Sequence, residues 1–212
     1  MTNIPRNDTR FCIGGGTIPP MTPPPPSSTR RSLLQPGRTL LLVVDLQARL
    51  LPAIPDRERV LRNSGLLLRL ARSLELPVVL TAQYPKGLGP VVPEILEQAP
   101  GAVPLEKTSF GCFGDDAFCR TLEPIARGQL LVCGIETHIC VTQTVLGGLE
   151  RGYDVHVVSD AVAARSAENH DIGLARMERQ GAVLSSAEMA IYELLGRSDT
   201  PAFKAILPLL KG

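Results

Sequence analysis

One segment of the sequence, from Val132 to Val141, places a cysteine where it could act as a nucleophile. An apolar strand is predicted to end at Gly134, a tight turn follows, and Cys140 falls in the first turn of the next helix. Unpaired backbone N–H groups and the helix dipole stabilise a thiolate at that place. A free cysteine also packs well as a small apolar core residue, so both roles stay open for Cys140 at this point.

The other thiols and the nearby imidazole have weaker settings. Cys133 lies inside the predicted strand and is expected in the core, while Cys112 and Cys119 lie in a polar loop and at a helix start without an obvious activating group. His138 could be the base of a Cys-His pair, although a histidine at the start of a helix is more often a surface or capping residue.

Two charged residues follow other apolar stretches of the sequence. Asp45 comes directly after the apolar run 40–44, where a carboxylate loses part of its hydration and is suited to proton transfer. A solvated turn or an N-cap would explain the same position. Lys107 follows the short apolar stretch 102–105 and could hold a carboxylate and a thiolate together, although most lysines are solvated surface charges.

The loop from Thr81 to Pro90 is rich in glycine and proline, which is typical of a structured connection. At the end of a sheet such a loop often shapes a pocket, although a plain surface connection has the same composition. The loop contains no His, Asp or Cys that could bind a metal. The sequence therefore predicts no metal site here.

Short apolar runs alternate along the chain with longer segments of helical spacing. The runs predicted as strands are 40–44, 77–81, 130–133, 155–159 and 182–184, and the helices are 57–74, 140–151, 170–180 and 185–195. This alternation predicts an α/β fold, a three-layer α-β-α arrangement around a central, mainly parallel sheet. Ligands of such sheets bind beyond the carboxyl ends of the strands, so the chemistry is expected there.

Composition excludes several classes of protein. Hydrophobic residues make up 44% of the 212 residues and the net charge is +1, so the chain is globular and has no overall field for nucleic acid or an anionic membrane. No run of about 18 uncharged apolar residues suggests a membrane span. Five cysteines without CxxC spacing indicate a reducing compartment, and we expect a cytoplasmic protein.

The sequence divides into an arm and a domain. Residues 1–36 hold 8 of the 19 prolines and three consecutive glycines, which predicts an arm without regular structure. The arm is either a free tail or an extended segment that docks on a neighbouring subunit. The remaining residues, 37–212, are expected to form one folded domain.

From about Leu40 to Leu195 the chain resembles the isochorismatase-like cysteine hydrolases, which include nicotinamidases, N-carbamoylsarcosine amidohydrolases and isochorismatases. Three blocks in the right order carry the resemblance: 42–47, 106–107 and 134–141. The loop 83–89 and the segment 201–204 are most similar to the isochorismatase-domain-containing subgroup.

The resemblance implies a catalytic triad of Asp45, Lys107 and Cys140. Asp45 would take the thiol proton, Lys107 would stabilise the ion pair, and Cys140 would form a covalent acyl-enzyme on a small amide-like substrate. Backbone N–H groups of Glu136 and Cys140 would hold the oxyanion. The family also implies a cis peptide bond between Ile135 and Glu136.

The resemblance further implies a small-molecule substrate, no cofactor and a homo-oligomer. Metal-binding nicotinamidases carry their ligands after the first two strands, whereas the three histidines here all lie later, at positions 138, 156 and 170. The substrate pocket is expected to include Gln47, Tyr84, Phe110 and Ile135. The alternatives are a vinyl ether hydrolase of isochorismatase type, and a non-catalytic binding protein or thiol redox protein on the same fold.

Overall fold

The apolar runs form one six-stranded sheet in the computed structural model, which describes residues 33–210. The order is β3-β2-β1-β4-β5-β6, and every neighbouring pair is parallel. The strands are β1 (Thr39–Val44), β2 (Val78–Gln83), β3 (Leu105–Lys107), β4 (Gln129–Ile135), β5 (Asp154–Ala163) and β6 (Val183–Ser185).

Helices connect these strands and continue beyond the last one. They are α1 (Arg57–Ser73), α2 (Pro85–Leu88), α3 (Pro93–Leu96), α4 (Asp116–Leu122), α5 (Thr142–Glu150), α6 (Ala167–Arg179), α7 (Ala187–Leu195) and α8 (Pro201–Leu210). Ser166 and Ser186 cap α6 and α7 by accepting hydrogen bonds from backbone N–H groups in the first turn.

Alternate residues of the central strands face opposite layers of helices, as the two-residue period of a strand requires. Leu41 and Val43 of β1 belong to a core built with α1, α7 and α8, whereas Leu40 and Leu42 belong to a second core built with α4, α5 and α6. The helices therefore cover both faces of the sheet. This arrangement confirms the predicted three-layer α-β-α fold.

Several element bounds differ from the sequence pattern. The helix after β4 is preceded by a π-helical turn, Thr137–Val141, so the helical segment begins earlier than residue 140. Strand β5 continues to Ala163, past an irregularity in its register with β4. Helix α8 was not predicted, because Pro208 lies inside it and proline removes a backbone donor.

The last residues assigned by composition to the N-terminal arm take part in the core. Leu34 is buried, and its N–H donates to Glu193 Oε2 at 2.9 Å. The Gln35 N–H donates to the side chain of Gln129. Residues 1–32 of the predicted arm lie outside the described residues. Between residues 33 and 210, no helix has both the length and the apolar character needed to cross a membrane.

Candidate active site

The candidate site lies at the carboxyl ends of the central strands. The chain adds β2 and β3 on one side of β1 and then crosses to β4 on the other side. Asp45 follows β1, Lys107 ends β3, and Cys140 lies in the π-helical turn after β4. Ligands of open α/β sheets bind at this reversal of strand order, so the fold places all three predicted residues at a favoured position.

Asp45 and Lys107 form a buried ion pair. The Lys107 Nζ atom lies 2.7 Å from Asp45 Oδ2, and the two side chains are 1% and 0% exposed. The Thr81 hydroxyl donates to the other carboxylate oxygen, Asp45 Oδ1, at 2.7 Å. Each oxygen of the carboxylate therefore accepts a hydrogen bond, which fixes the orientation of Asp45 in the site.

Further acceptors surround the Lys107 ammonium group. Its Nζ donates to Gln83 Oε1 at 2.8 Å and to the Phe110 carbonyl oxygen at 3.1 Å, in addition to Asp45. The Ser109 carbonyl oxygen, at 3.4 Å, is a fourth acceptor. An ammonium group has three N–H donors and no acceptor, so these oxygens satisfy its bonding capacity. The surroundings favour a fixed positive charge beside the carboxylate.

A chain of amide groups holds Gln83 in place. Its Nε2 donates to the Thr108 carbonyl at 2.8 Å, while the side chain of Gln47 accepts from the Gln83 N–H and donates to the Gln83 carbonyl. Gln47 also donates to the Gly89 carbonyl at 2.7 Å. Gln47 was predicted to line the pocket; it is fully buried and positions the loop, and its contact with substrate stays a prediction.

Burial dominates the environment of the Cys140 thiol. Burial and, after it, the negative charge of Asp45 raise the pKa of Cys140 and the positive charge of Lys107 lowers it, and the resulting pKa is about 12. The residue is 6% exposed. Because the thiol keeps its proton at neutral pH, Cys140 needs a base to become a nucleophile, and Asp45 lies within electrostatic reach.

Gly134 allows β4 to pass close to the end of β1. Its φ is +118°, and a Cβ atom there would lie 2.6 Å from the Val44 backbone nitrogen and would overlap the Val44 carbonyl oxygen. Only glycine fits this approach without moving the strand that carries Asp45. The peptide bond between Ile135 and Glu136 is cis, which confirms the cis bond expected from the family resemblance.

The side chains of Glu136 and His170 form hydrogen bonds with groups outside the ion pair. Glu136 Oε2 accepts from the Arg165 backbone N–H at 3.1 Å and from its guanidinium at 3.0 Å. His170 Nδ1 lies 2.9 Å from the Thr137 hydroxyl, and burial, then the charge of Arg59, lowers the His170 pKa. Nδ1 of His138 is buried without a hydrogen-bond partner among the described residues.

The four residues predicted to form the pocket differ in exposure. Tyr84 and Phe110 are 54% and 56% exposed, whereas Ile135, like Gln47, is fully buried. A cavity of about 310 Å³ lies beside the lysine of the ion pair. It is lined by Tyr84, Pro85, Lys86, Glu106, Lys107, Thr108 and Asp115. Tyr84 is thus the predicted pocket residue that lines this cavity.

Thr81 and Gln83 are site residues that the sequence analysis did not identify. Both lie at the end of β2, where residues two apart point to the same face. Two polar side chains on one face of a buried strand end were the available signal. Within residues 33–210, no group of three or more His, Cys, Asp or Glu is placed to hold a metal ion.

Comparison with known proteins identifies one family. The family described as Isochorismatase domain matches residues 39–189. A protein of Macaca fascicularis called isochorismatase domain-containing protein 2 is 42% identical over 179 residues, which are 83% of this chain and 84% of the relative.

Solved structures share the fold over most of the chain. The MAR1 ribonuclease of Caenorhabditis elegans has a TM-score of 0.80 at 36% identity, covering 85% of this chain and 93% of that one. YcaC from Pseudomonas aeruginosa, described with hexane-2,5-diol and covalent acrylamide, has a TM-score of 0.79 at 31% identity, covering 84% and 91%. YcaC from Escherichia coli, described as an octameric hydrolase of unknown specificity, has a TM-score of 0.80 at 27% identity, covering 84% and 91%.

Proposed function

The chain belongs to the isochorismatase domain family, and from that premise we propose that it hydrolyses a small amide-like substrate through a covalent intermediate on Cys140. The observation that carries the proposal is the buried Asp45–Lys107 pair, which acts electrostatically on the Cys140 thiol. A protonated thiol beside a fixed carboxylate is the arrangement that base-assisted attack requires. In this proposal Asp45 transfers protons and Lys107 stabilises negative charge.

In the first half of the reaction, Asp45 accepts the thiol proton as Cys140 Sγ attacks the carbonyl carbon. The Lys107 ammonium group, held in place by the oxygens around it, stabilises the carboxylate and the developing thiolate. Backbone N–H groups of Glu136 and Cys140 hold the oxyanion. Asp45 then gives its proton to the leaving nitrogen as the carbon–nitrogen bond breaks, which leaves a thioester on Cys140.

Water completes the cycle. Asp45 removes a proton from a water molecule that attacks the thioester carbon, and the carboxylic acid product leaves. The proton held by Asp45 returns to the Cys140 sulfur. The Thr81 hydrogen bond keeps Asp45 in one orientation during both proton transfers, so the same carboxylate serves each half of the reaction.

Two neighbours support covalent hydrolytic chemistry. YcaC from Pseudomonas aeruginosa is described with covalent acrylamide, and YcaC from Escherichia coli is described as a hydrolase. The Caenorhabditis elegans neighbour is described as a ribonuclease, but a net charge of +1 gives this chain little attraction for a polyanion. We therefore place a small molecule in the site.

A substrate panel tests the proposal. Small primary amides and N-carbamoyl compounds are assayed for released ammonia, and isochorismate is assayed for released pyruvate. We expect ammonia release by the wild type and at least about a 100-fold lower rate in Cys140→Ala, the scale of a lost catalytic group. Cys119→Ala, which removes a half-buried thiol outside the site, is the control and should keep full activity.

The panel also separates the alternatives. Pyruvate release that survives Cys140→Ala would replace the amide proposal by vinyl ether hydrolysis. No turnover of any compound would favour a binding protein.

We also propose that the protein forms a symmetric homo-oligomer. The octameric state described for YcaC from Escherichia coli supports this proposal. Light scattering of the purified full chain should give a mass of at least twice 22.8 kDa, and a mass of 22.8 kDa would contradict the proposal.

A further inference from the structure

A second thiol lies beside the candidate site. Cys112 is fully buried in the turn Cys112–Gly114, which follows the segment that surrounds the Lys107 ammonium. The Cys112 N–H donates to Thr144 Oγ1 at 3.0 Å. Thr144 comes four residues after Cys140, and residues four apart lie on the same side of a helix. The turn that carries Cys112 therefore packs against the helical face that carries Cys140.

The two thiols have the same charged neighbours. Burial and the charge of Asp45 raise the pKa of Cys112, whereas the charge of Lys107 and the hydroxyls of Thr144 and Thr81 lower it, and the resulting pKa is about 11. Thr81 is also the hydroxyl that donates to Asp45. Cys112 in turn contributes to the raised pKa of Cys140. Both sulfur atoms therefore lie within electrostatic range of one ion pair.

The other described cysteines occupy different surroundings. Cys133 belongs to the core on the opposite face of the sheet from Cys112 and Cys140. Cys119 is half-buried, and its thiol donates to the Phe113 carbonyl at 3.7 Å. Among the described cysteines, Cys112 is thus the partner that the fold presents to Cys140.

We propose that Cys112 and Cys140 form a reversible disulfide when the protein meets a peroxide. Cys140, which is 6% exposed while Cys112 is fully buried, reacts first. Asp45 takes the thiol proton, the sulfur attacks one peroxide oxygen, and a sulfenic acid forms as water leaves with that proton. Cys140 is oxidised by two electrons and the peroxide is reduced.

In the second step the Cys112 sulfur attacks the sulfenic sulfur of Cys140. The sulfur–sulfur bond forms, the Cys112 proton leaves with the hydroxyl group as water, and no further oxidant is consumed. The disulfide removes the Cys140 nucleophile and protects it from irreversible oxidation. A dithiol reductant restores both thiols, so the pair can switch the site off and on again.

Peptide mass spectrometry of the full chain after hydrogen peroxide treatment tests this proposal. The wild type should yield a peptide pair joined through Cys112 and Cys140, and dithiothreitol should restore the alkylation of Cys140 by iodoacetamide. In Cys112→Ala, and in Cys112→Ser as a second variant, Cys140 should gain two oxygen atoms as a sulfinic acid. Dithiothreitol should then restore little of the alkylation.

Cys133→Ala and Cys119→Ala are matched controls and should still form the disulfide. A sulfinic acid on wild-type Cys140 without a disulfide, pairing of Cys140 with any other cysteine, or unchanged thiols after peroxide would each overturn the proposal. The proposal shares Cys140 with the proposed function but needs no substrate. Ammonia release by the untreated protein is therefore a separate readout, and the two can fail independently.

Discussion

Lys107 Nζ lies 2.7 Å from Asp45 Oδ2, and neither side chain is open to solvent. Taking two charges out of water is costly, and a buried pair often gives no more stability than apolar residues of the same volume. We propose that the pair has a chemical role, because it fixes a carboxylate within electrostatic reach of the Cys140 thiol. Replacing both partners by uncharged residues should consequently abolish activity without a matching loss of stability.

Lys107→Met should leave the buried Asp45 carboxylate without its positively charged partner. We expect a loss of about 3–5 kcal/mol in the free energy of unfolding, the usual effect of breaking a buried pair, and at least about a 100-fold loss of hydrolysis. The double variant Asp45→Asn with Lys107→Met should regain stability but not activity. Urea unfolding and ammonia release measure the two effects. A double variant as unstable as Lys107→Met would show that the unpaired charge is not the cause.

Thr81→Val tests the hydrogen bond to Asp45 Oδ1. Valine has nearly the same shape but no hydroxyl, so a buried acceptor loses its donor at a cost of about 1–3 kcal/mol. We expect turnover to fall with little change in KM, because the affected group transfers a proton and does not bind substrate. Thr121→Val, on the exposed side of α4, is the control. Equal turnover in the two variants would contradict the positioning role.

Gly134→Ala should prevent the close approach of β4 to Val44. The clash involves backbone atoms that cannot rotate away, so we expect a loss above about 4 kcal/mol, or no folding. Gly152→Ala is a matched control, because Gly152 also has a positive φ, +83°, but has no atom within 4 Å of the added methyl. It should lose only about 1–2 kcal/mol, the cost of a left-handed alanine. Thermal unfolding compares the two, and similar losses would refute the steric argument.

The raised pKa of the buried Cys133 thiol predicts that the protein loses stability at alkaline pH. Burial raises the pKa of Cys133 from 9.0 to about 12, so above pH 9 the unfolded chain releases a proton that the folded chain keeps. The contribution of Cys133 is therefore complete below pH 9 and is lost as the pH rises towards 12. Above pH 9 the free energy of unfolding, measured with urea, should fall more steeply with pH for the wild type than for Cys133→Ala. The difference in slope should be up to about 1.4 kcal/mol per pH unit. Parallel curves would contradict this assignment.

The sequence predicted the layers of the fold more completely than it predicted which residues make up the site. Continuous apolar runs such as 40–44 gave the parallel strands, because a strand buried on both faces has no other signature of comparable strength. Helix α8 was missed because Pro208 interrupts its pattern, and its apolar face is stabilised by packing against α1. Helix α8 is therefore stabilised by tertiary packing and not by its local sequence pattern.

The meeting of Asp45, Lys107 and Cys140 could not be predicted from spacing. These residues are separated by three crossovers, and only the family resemblance placed them together in advance. Gln83 and Thr81 were missed because their role depends on the hydrogen bonds they form with Lys107 and Asp45. The exposure of Phe110 and the burial of Gln47 likewise follow from the folded loops.

The most direct test of the account is the mass of the Cys140 peptide after acid quenching of the protein during turnover of an amide that it hydrolyses. We expect an acyl group on Cys140 that accumulates within the first turnovers and disappears when substrate is exhausted, while the Cys119 peptide stays unmodified. Hydrolysis with an unmodified Cys140 peptide at every quench time, together with full activity of Cys140→Ala, would contradict it.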